Sequence, residues 1–450
     1  MNQYELATKK HALYKQHHGR WQFLYDSYVG GEDYRKKGYL TRYQQETNDD
    51  YNARLQETPY DNQVMSIVST YNSFLFRTIP TRELNSIERL PETEQFLRDA
   101  DLEGRSFDLF MKEASTWSNV FGHCWIMVSK PNIGAQTRAD EIANQVRPYV
   151  SILTPLTVID WDYERTLNGA YELTYLKYLE DVNGDIETYR EWTPDLIRTL
   201  VVDTDREEVN EIKDEPNQLG KIPAVICYSD RSIVRGIGVS SISDVADQCR
   251  YIYNALSEAA QSIRLDSHPS LVASAETVIG TGAGAVITMP TDIDPGFKPY
   301  VLDFNGASID SILRVIERAE KSIEGMTHTG GVRSNQTQAM SGVALETEFQ
   351  LLNVKLSGIA NNLVLAEEGI WRLFCLYQNQ PYDVDVQYPD SFSIRDSQNE
   401  IKQLQIAAAT ATSPAVKELI DREVLRWMEI PDEDQPVIRS GAQIAPASET

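Results

Sequence analysis

The sequence predicts an α+β chain: a mixed helix-and-sheet body, two helices bracketing a small β-containing insertion, one very long helix, and a helical C-terminal region. Three patterns carry that expectation. Apolar residues recur at steps of three and four over 64–75 and 107–121, the mark of helices that bury one stripe. Between 148 and 228 the pattern changes to short β-rich runs separated by turn residues. From 241 onward the helical spacing returns in long segments, broken once by a Gly- and Pro-rich stretch and once by a polar one. At 450 residues, 41% apolar, the chain has material for about three domains with buried cores.

Residues 1–60 mix Tyr with both charge signs and carry few aliphatics, which predicts short helices and loops on a surface. After Pro59, Val64, Ile67, Val68, Tyr71, Phe74 and Leu75 form one apolar stripe. A helix over 103–121 follows, with Phe107, Phe110, Met111, Ala114, Trp117 and Phe121 in phase, and it runs into a strand at His123–Val128. Strands are expected at Tyr149–Leu153, Thr157–Trp161, Leu173–Leu179, Ile186–Trp192, Leu200–Val202 and Ala224–Tyr228, with Asn183-Gly184 as a hairpin signal. The run 203–215 holds seven acids against two bases and reads as a solvated loop. Helices over 241–265 and 308–326 flank the insertion 269–306. The polar stretch 327–338 precedes a helix from Ser341 to about Tyr377, roughly 55 Å long at 1.5 Å per residue. Two further helices are expected over 398–429, the second opened by Ser413-Pro414.

Composition and motifs exclude several classes of function. With 42 Lys and Arg against 67 Asp and Glu the chain carries −25, so it does not hold nucleic acid by general electrostatic attraction. It can still surround DNA without sticking to it. No export or membrane-spanning segment is expected, and the four Cys read as buried thiols of a reducing cytoplasm, not a disulfide framework. Gly220-Lys221 lacks the glycine spacing of a P-loop, and Gly280-Thr281-Gly282-Ala283-Gly284-Ala285 runs on into a strand where a dinucleotide loop would open a helix. The six His show no zinc spacing, and His17-His18 reads as an exposed surface pair. The carboxylate pairs Asp160/Asp162, Asp292/Asp294 and Asp383/Asp385 read as turn or strand-end residues, so no metal and no cofactor are expected. No nucleophile elbow is present. The enzyme alternative is an acidic carbohydrate-active hydrolase using a carboxylate pair, with Trp161 and Trp192 lining a cleft, against the plainer reading of both as core.

The order of elements (mixed body, helix, insertion, helix, polar loop, very long helix) resembles that of the portal proteins of tailed bacteriophages over about residues 20–430. Local patterns that carry the resemblance are Thr58-Pro59-Tyr60, Arg147-Pro148-Tyr149 followed by Val158-Ile159-Asp160-Trp161, Ile279-Gly280 through Pro290, and Gly342-Val343-Ala344-Leu345-Glu346. The resemblance implies a wing at 1–235, stem helices at 236–265 and 308–326, a clip at 266–307, a tunnel loop at 327–340, a long wing helix at 341–379 and a helical crown at 380–450. It implies a non-enzymatic ring, usually of twelve copies, at one capsid vertex of a virion assembled in the host cytoplasm. Double-stranded DNA would enter and leave along the axis. Terminase large subunit, a head-completion or tail adaptor and the major capsid protein would be the partners, with no membrane. Channel candidates are Gly330, Gly331, Arg333, Ser334, Asn335 and Gln336 in the loop and Arg250, Arg264, Arg314, Arg318 and Lys321 on the stem. For each stem cation the alternative is a solvated face or an intersubunit ion pair. Docking candidates on the clip are Gly280, Gly282, Gly284, Asp292 and Asp294. Another virion structural protein is the remaining alternative.

Overall fold

The structure is a computed structural model and describes residues 2–131, 140, 144, 146–267, 271–272, 278–279, 287–288, 300–301, 307–333, 342–389 and 392. Met1–Phe392 forms one unit and Ser393–Thr450 a second. The helices expected over 398–429 lie outside the described residues.

The chain begins with helices α1 (Gln3–Ala7), α2 (Ala12–Val29), α3 (Gly31–Lys36), α4 (Asn48–Glu57) and α5 (Gln63–Leu75). Here the expectation of short surface pieces is corrected. Helix α2 has 18 residues and buries Tyr14, Trp21, Phe23 and Leu24. Its buried surface is aromatic, so counting aliphatic residues missed it. His17 and His18 are half-buried, not exposed, and their rings lie against Trp21 at 5.7 Å and Tyr14 at 5.1 Å. Helix α5 starts where Asn62 accepts from the Met65 N–H at 2.9 Å, which satisfies one of the orphan donors of a first turn. It buries the predicted stripe except Phe74, which is half-buried.

Strand β1 (Thr81–Glu83), helix α6 (Pro91–Arg98) and helix α7 (Phe107–Phe121) lead to β2 (His123–Ser129). Strand β2 is central in a three-stranded antiparallel sheet between β3 (Tyr149–Leu153) and β9 (Ala224–Tyr228). Both its faces are covered, which is why His123 through Val128 are all buried and read as an unbroken run. Gly122 joins α7 to β2 at φ +93°, and a Cβ there would stand 2.6 Å from the Gly238 carbonyl, so the corner needs glycine twice over.

Strands β4 (Val158–Arg165), β5 (Tyr171–Asn183), β6 (Ile186–Trp192), β7 (Leu196–Asp203) and β8 (Glu208–Pro216) form an antiparallel meander. The β5–β6 turn is Gly184-Asp185, one residue beyond the expected pair, with Gly184 taking the positive φ of 62°. Trp161 and Trp192 are 4% and 5% exposed, so they form core and not the wall of a cleft, and the hydrolase alternative loses its platform. The acid run is also corrected: after a turn at 204–207 it continues as β8 instead of a loop. Strand β8 pairs only with β7 among the described strands, and seven of its nine residues are exposed. An edge strand wetted on both faces needs no apolar alternation and tolerates charge, so its sequence carried no period-two signal. Arg198 pairs across to Asp214 at 2.7 Å.

Strands β10 (Asp230–Arg231) and β11 (Gly238–Val239) make a small hairpin before helix α8 (Ser243–Ser267). Between α8 and helix α9 (Ala307–Thr327) lie β12 (Leu271–Val272), β13 (Val278–Ile279), β14 (Ile287–Thr288) and β15 (Tyr300–Val301). Helix α10 (Gly330–Arg333) and helix α11 (Gly342–Tyr377) follow, and β16 (Asp385–Gln387) pairs antiparallel with β1. The four Cys are buried free thiols.

Candidate functional site

The pair α8 and α9 is the feature on which function turns. Just past the end of α8, β12 pairs antiparallel with β15, which lies just before the start of α9. The end of one helix and the start of the other are thereby brought together, and the two run antiparallel, about 37 Å and 31 Å long at 1.5 Å per residue. Ile252, Tyr253 and Ala259 of α8 and Ile316, Ala319 and Ile323 of α9 are buried. The clip candidates Gly280, Gly282, Gly284, Asp292 and Asp294 lie outside the described residues.

The hairpin is braced on the body by polar groups that the sequence did not reveal. Arg54 of α4 is buried, pairs with Glu46 at 2.8 Å and donates to the Ser257 hydroxyl of α8 at 3.0 Å. Tyr253 of α8 closes an aromatic cluster with Tyr34 and Tyr60, whose own rings stack at 3.9 Å. At the far end, the Tyr71 hydroxyl donates to the Thr327 carbonyl at 2.9 Å. His328 then takes φ +56°, and the Thr329 N–H returns to the Glu324 carbonyl at 3.3 Å, a six-to-one closure of the helix end. Thr327 and Thr329 are fully buried and their hydroxyls share a hydrogen bond of 2.7 Å. Neighbouring threonines around a residue able to adopt αL were the one available signal.

The stem cations divide into two sets. On α8, Arg250 pairs with Asp247 at 3.3 Å and covers the Phe23 ring at 4.9 Å, while Arg264 pairs with Glu57 of α4. Both serve contacts within the chain. On α9, Arg314, Arg318 and Lys321 are exposed and have no ion-pair partner among the described residues. Their spacing of four and three sets them along a single helical face. Gly330, Gly331 and Arg333 form the one-turn helix α10, and Ser334, Asn335 and Gln336 lie outside the described residues.

Among the described residues no group of His, Cys, Asp or Glu could hold a metal, and no helix is long and apolar enough to cross a membrane. What the geometry offers is a braced helical hairpin and its exposed faces. The chain belongs to the family of phage portal proteins described as SPP1 Gp6-like, whose model matches residues 8–429. That family is structural, not enzymatic. Among solved structures the chain is similar to one titled "Neck of empty GTA particle computed with C6 symmetry", at 11% identity and a TM-score of 0.48, over 90% of this chain and 99% of that one. A second is titled "Virion of native gene transfer agent (GTA) particle", at 11% identity and a TM-score of 0.45, over 91% and 99%. A third, "Neck of native GTA particle computed with C12 symmetry", gives 12% identity and a TM-score of 0.43 over 90% and 99%. No curated protein matches the chain.

Proposed function

We propose that twelve copies of this chain form a ring at one capsid vertex of a virion and that its axial channel carries double-stranded DNA during packaging and ejection. The observation that carries the proposal is the antiparallel α8–α9 hairpin with its insertion at the tip, in a chain of the portal family. In this reading residues 1–235 are the wing, 236–265 and 308–326 the stem, 266–307 the clip, 327–340 the tunnel loop, 341–379 the long wing helix and 380–450 the crown. The clip docks terminase large subunit and later the head-completion or tail adaptor. The major capsid protein is a further partner, and assembly takes place in the host cytoplasm.

Electrostatics support a conduit. Twelve chains at −25 carry a net charge of roughly −300, and the carboxylates facing the axis repel the DNA backbone, which keeps friction low during translocation. Arg314, Arg318 and Lys321 share one side of α9 with Asp310, Glu317 and Glu324, and a side so balanced in charge can touch phosphates only lightly. The test is mass by light scattering with negative-stain microscopy of the purified chain. Twelve chains of 51.0 kDa give about 612 kDa and twelve-fold rings with a central hole; a monodisperse 51.0 kDa species would overturn the ring.

Arg333 is the sole Lys or Arg of the 327–340 segment, and in this reading that segment is the tunnel loop, beside which a moving duplex would pass. Arg333→Ala is expected to give normally assembled particles that retain several-fold less packaged DNA, read as the ratio of filled to empty particles in a gradient. An unchanged ratio would remove Arg333 from the channel's working parts.

A further inference from the structure

Helix α11 buries Leu352, Leu356, Ile359, Leu363 and Ala366 along one side and leaves the other side bare. On the bare side Thr347, Leu351, Val354, Gly358, Asn361 and Leu365 are all exposed. They recur at steps of four and three, a stripe about 27 Å long at 1.5 Å per residue. Leu351, Val354 and Leu365 are 46%, 71% and 50% exposed. Alternate steps of three and four that carry Leu and Val form the seam along which one helix receives another.

Two further features set this face apart from an ordinary solvated surface. The first is charge. Between Glu348 and Glu367 lie 18 residues with a single charge, Lys355, where the chain's 24% of charged residues would place about four. Lys355 is off the stripe: its ammonium stands 5.2 Å from the centroid of the buried Tyr71 ring, and with Asp230 and Asp244 it lines the cleft on one flank. The second is Gly358. Glycine inside a helix weakens it relative to alanine. A Cβ at this position would meet nothing within 4 Å, so no contact among the described residues calls for glycine. What the missing side chain permits is the close approach of a backbone from outside.

The occupant follows from charge. At −25, copies of this chain repel one another wherever their acids face, so they pack through surfaces from which charge is missing. Depletion of charge also marks the dry centre of a protein interface. A cationic partner would be met by acids, and this stripe carries none.

We propose that the 347–365 stripe of α11 packs against a neighbouring copy of this chain, with Gly358 at the point of closest approach. The inference rests on the ring reading and names the contact between neighbours. Its test uses the full chain. Wild type is weighed by light scattering beside Val354→Glu combined with Gly358→Met, two changes at exposed positions that leave the helical circular dichroism as in wild type. The mass of the double variant is expected to fall about twelve-fold, from about 612 to 51.0 kDa. Separately, p-benzoylphenylalanine placed at position 354 and irradiated is expected to give a band near 102 kDa, twice 51.0 kDa, on a denaturing gel. A wild type of 51.0 kDa would overturn the ring and this contact together. A wild-type ring that survives the double variant, with no 102 kDa band, would overturn this contact alone. So would a cross-link formed within one chain, which leaves the band at 51.0 kDa.

Discussion

Arg82→Met is expected to destabilise the folded body by about 3–5 kcal/mol, because it strands a buried carboxylate. Glu367 of α11 is fully buried, and its oxygens accept from Arg82 at 2.5 Å, the Tyr388 hydroxyl at 2.8 Å and the Trp371 indole at 3.1 Å. Arg82 also pairs with Asp108 of α7 at 2.7 Å and covers the Phe107 ring at 5.1 Å. One guanidinium thus fastens the long helix to the β1–β16 ribbon and to α7. Removing it leaves the Glu367 charge with two neutral donors in a fully buried site, which falls far short of its lost hydration. Urea unfolding followed by tryptophan fluorescence is the measurement. Adding Glu367→Gln to Arg82→Met removes the stranded charge and keeps acceptor capacity for Tyr388 and Trp371, so the double variant should recover part of the loss. A single variant within about 1 kcal/mol of wild type, the upper edge of what an exposed pair gives, would show that the network contributes little.

The second large effect is acid sensitivity set by His123. Its ring is buried in the central strand, and its Nδ1 accepts the Gly238 N–H at 3.2 Å, which requires a neutral imidazole. Burial, and then the nearby His17, push its pKa down to about 3. The unfolded chain binds this proton at about pH 6.5, the folded chain only near 3, so in acid the unfolded state takes up more protons. Stability from this group is fully present above pH 6.5 and is lost as pH falls towards 3, at about 1.4 kcal/mol per pH unit. By pH 5, before most carboxylates titrate, the loss is about 2 kcal/mol, and by pH 3 on the order of 5 kcal/mol. His123→Gln keeps an acceptor for Gly238 without a titrating ring. Its stability between pH 6.5 and 5 should be flatter than wild type by that 2 kcal/mol, measured as urea midpoints at each pH. Parallel profiles would assign the acid limb to other groups.

The elements on which function rests were the ones most legible in the sequence. The helices expected over 241–265 and 308–326 are found at Ser243–Ser267 and Ala307–Thr327, and the long helix at Gly342–Tyr377. Long amphipathic segments repeat their signal over many turns, and the insertion between two of them left only a hairpin as a compact solution. The N-terminal helices were less legible because Trp21, Tyr14 and Phe23 bury surface through aromatic rings, which a count of aliphatic residues leaves out. Strand β8 was illegible for a different reason: backbone pairing with β7 and not side-chain burial defines it. The Arg82–Glu367 pair spans 285 residues of sequence, and the Arg54–Ser257 bond spans 203. No local pattern marks one buried charge among 109 ionisable acids and bases (42 plus 67), so such braces become visible only when the chain is folded.

The edge strand β8 carries one more implication. Among the described strands none pairs with its outer side, which leaves the usual invitation for a like strand to add on. Glu208, Glu211, Asp214 and Glu215 stand along that strand, with Lys213 the one opposing charge. Two copies approaching edge to edge therefore bring like charges together before any backbone bond can form. Where many copies gather at high local concentration, this repulsion acts as a fuse against runaway polymerisation. Sheets stay separate, surplus subunits stay in solution, and growth is left to surfaces that can reach a definite end.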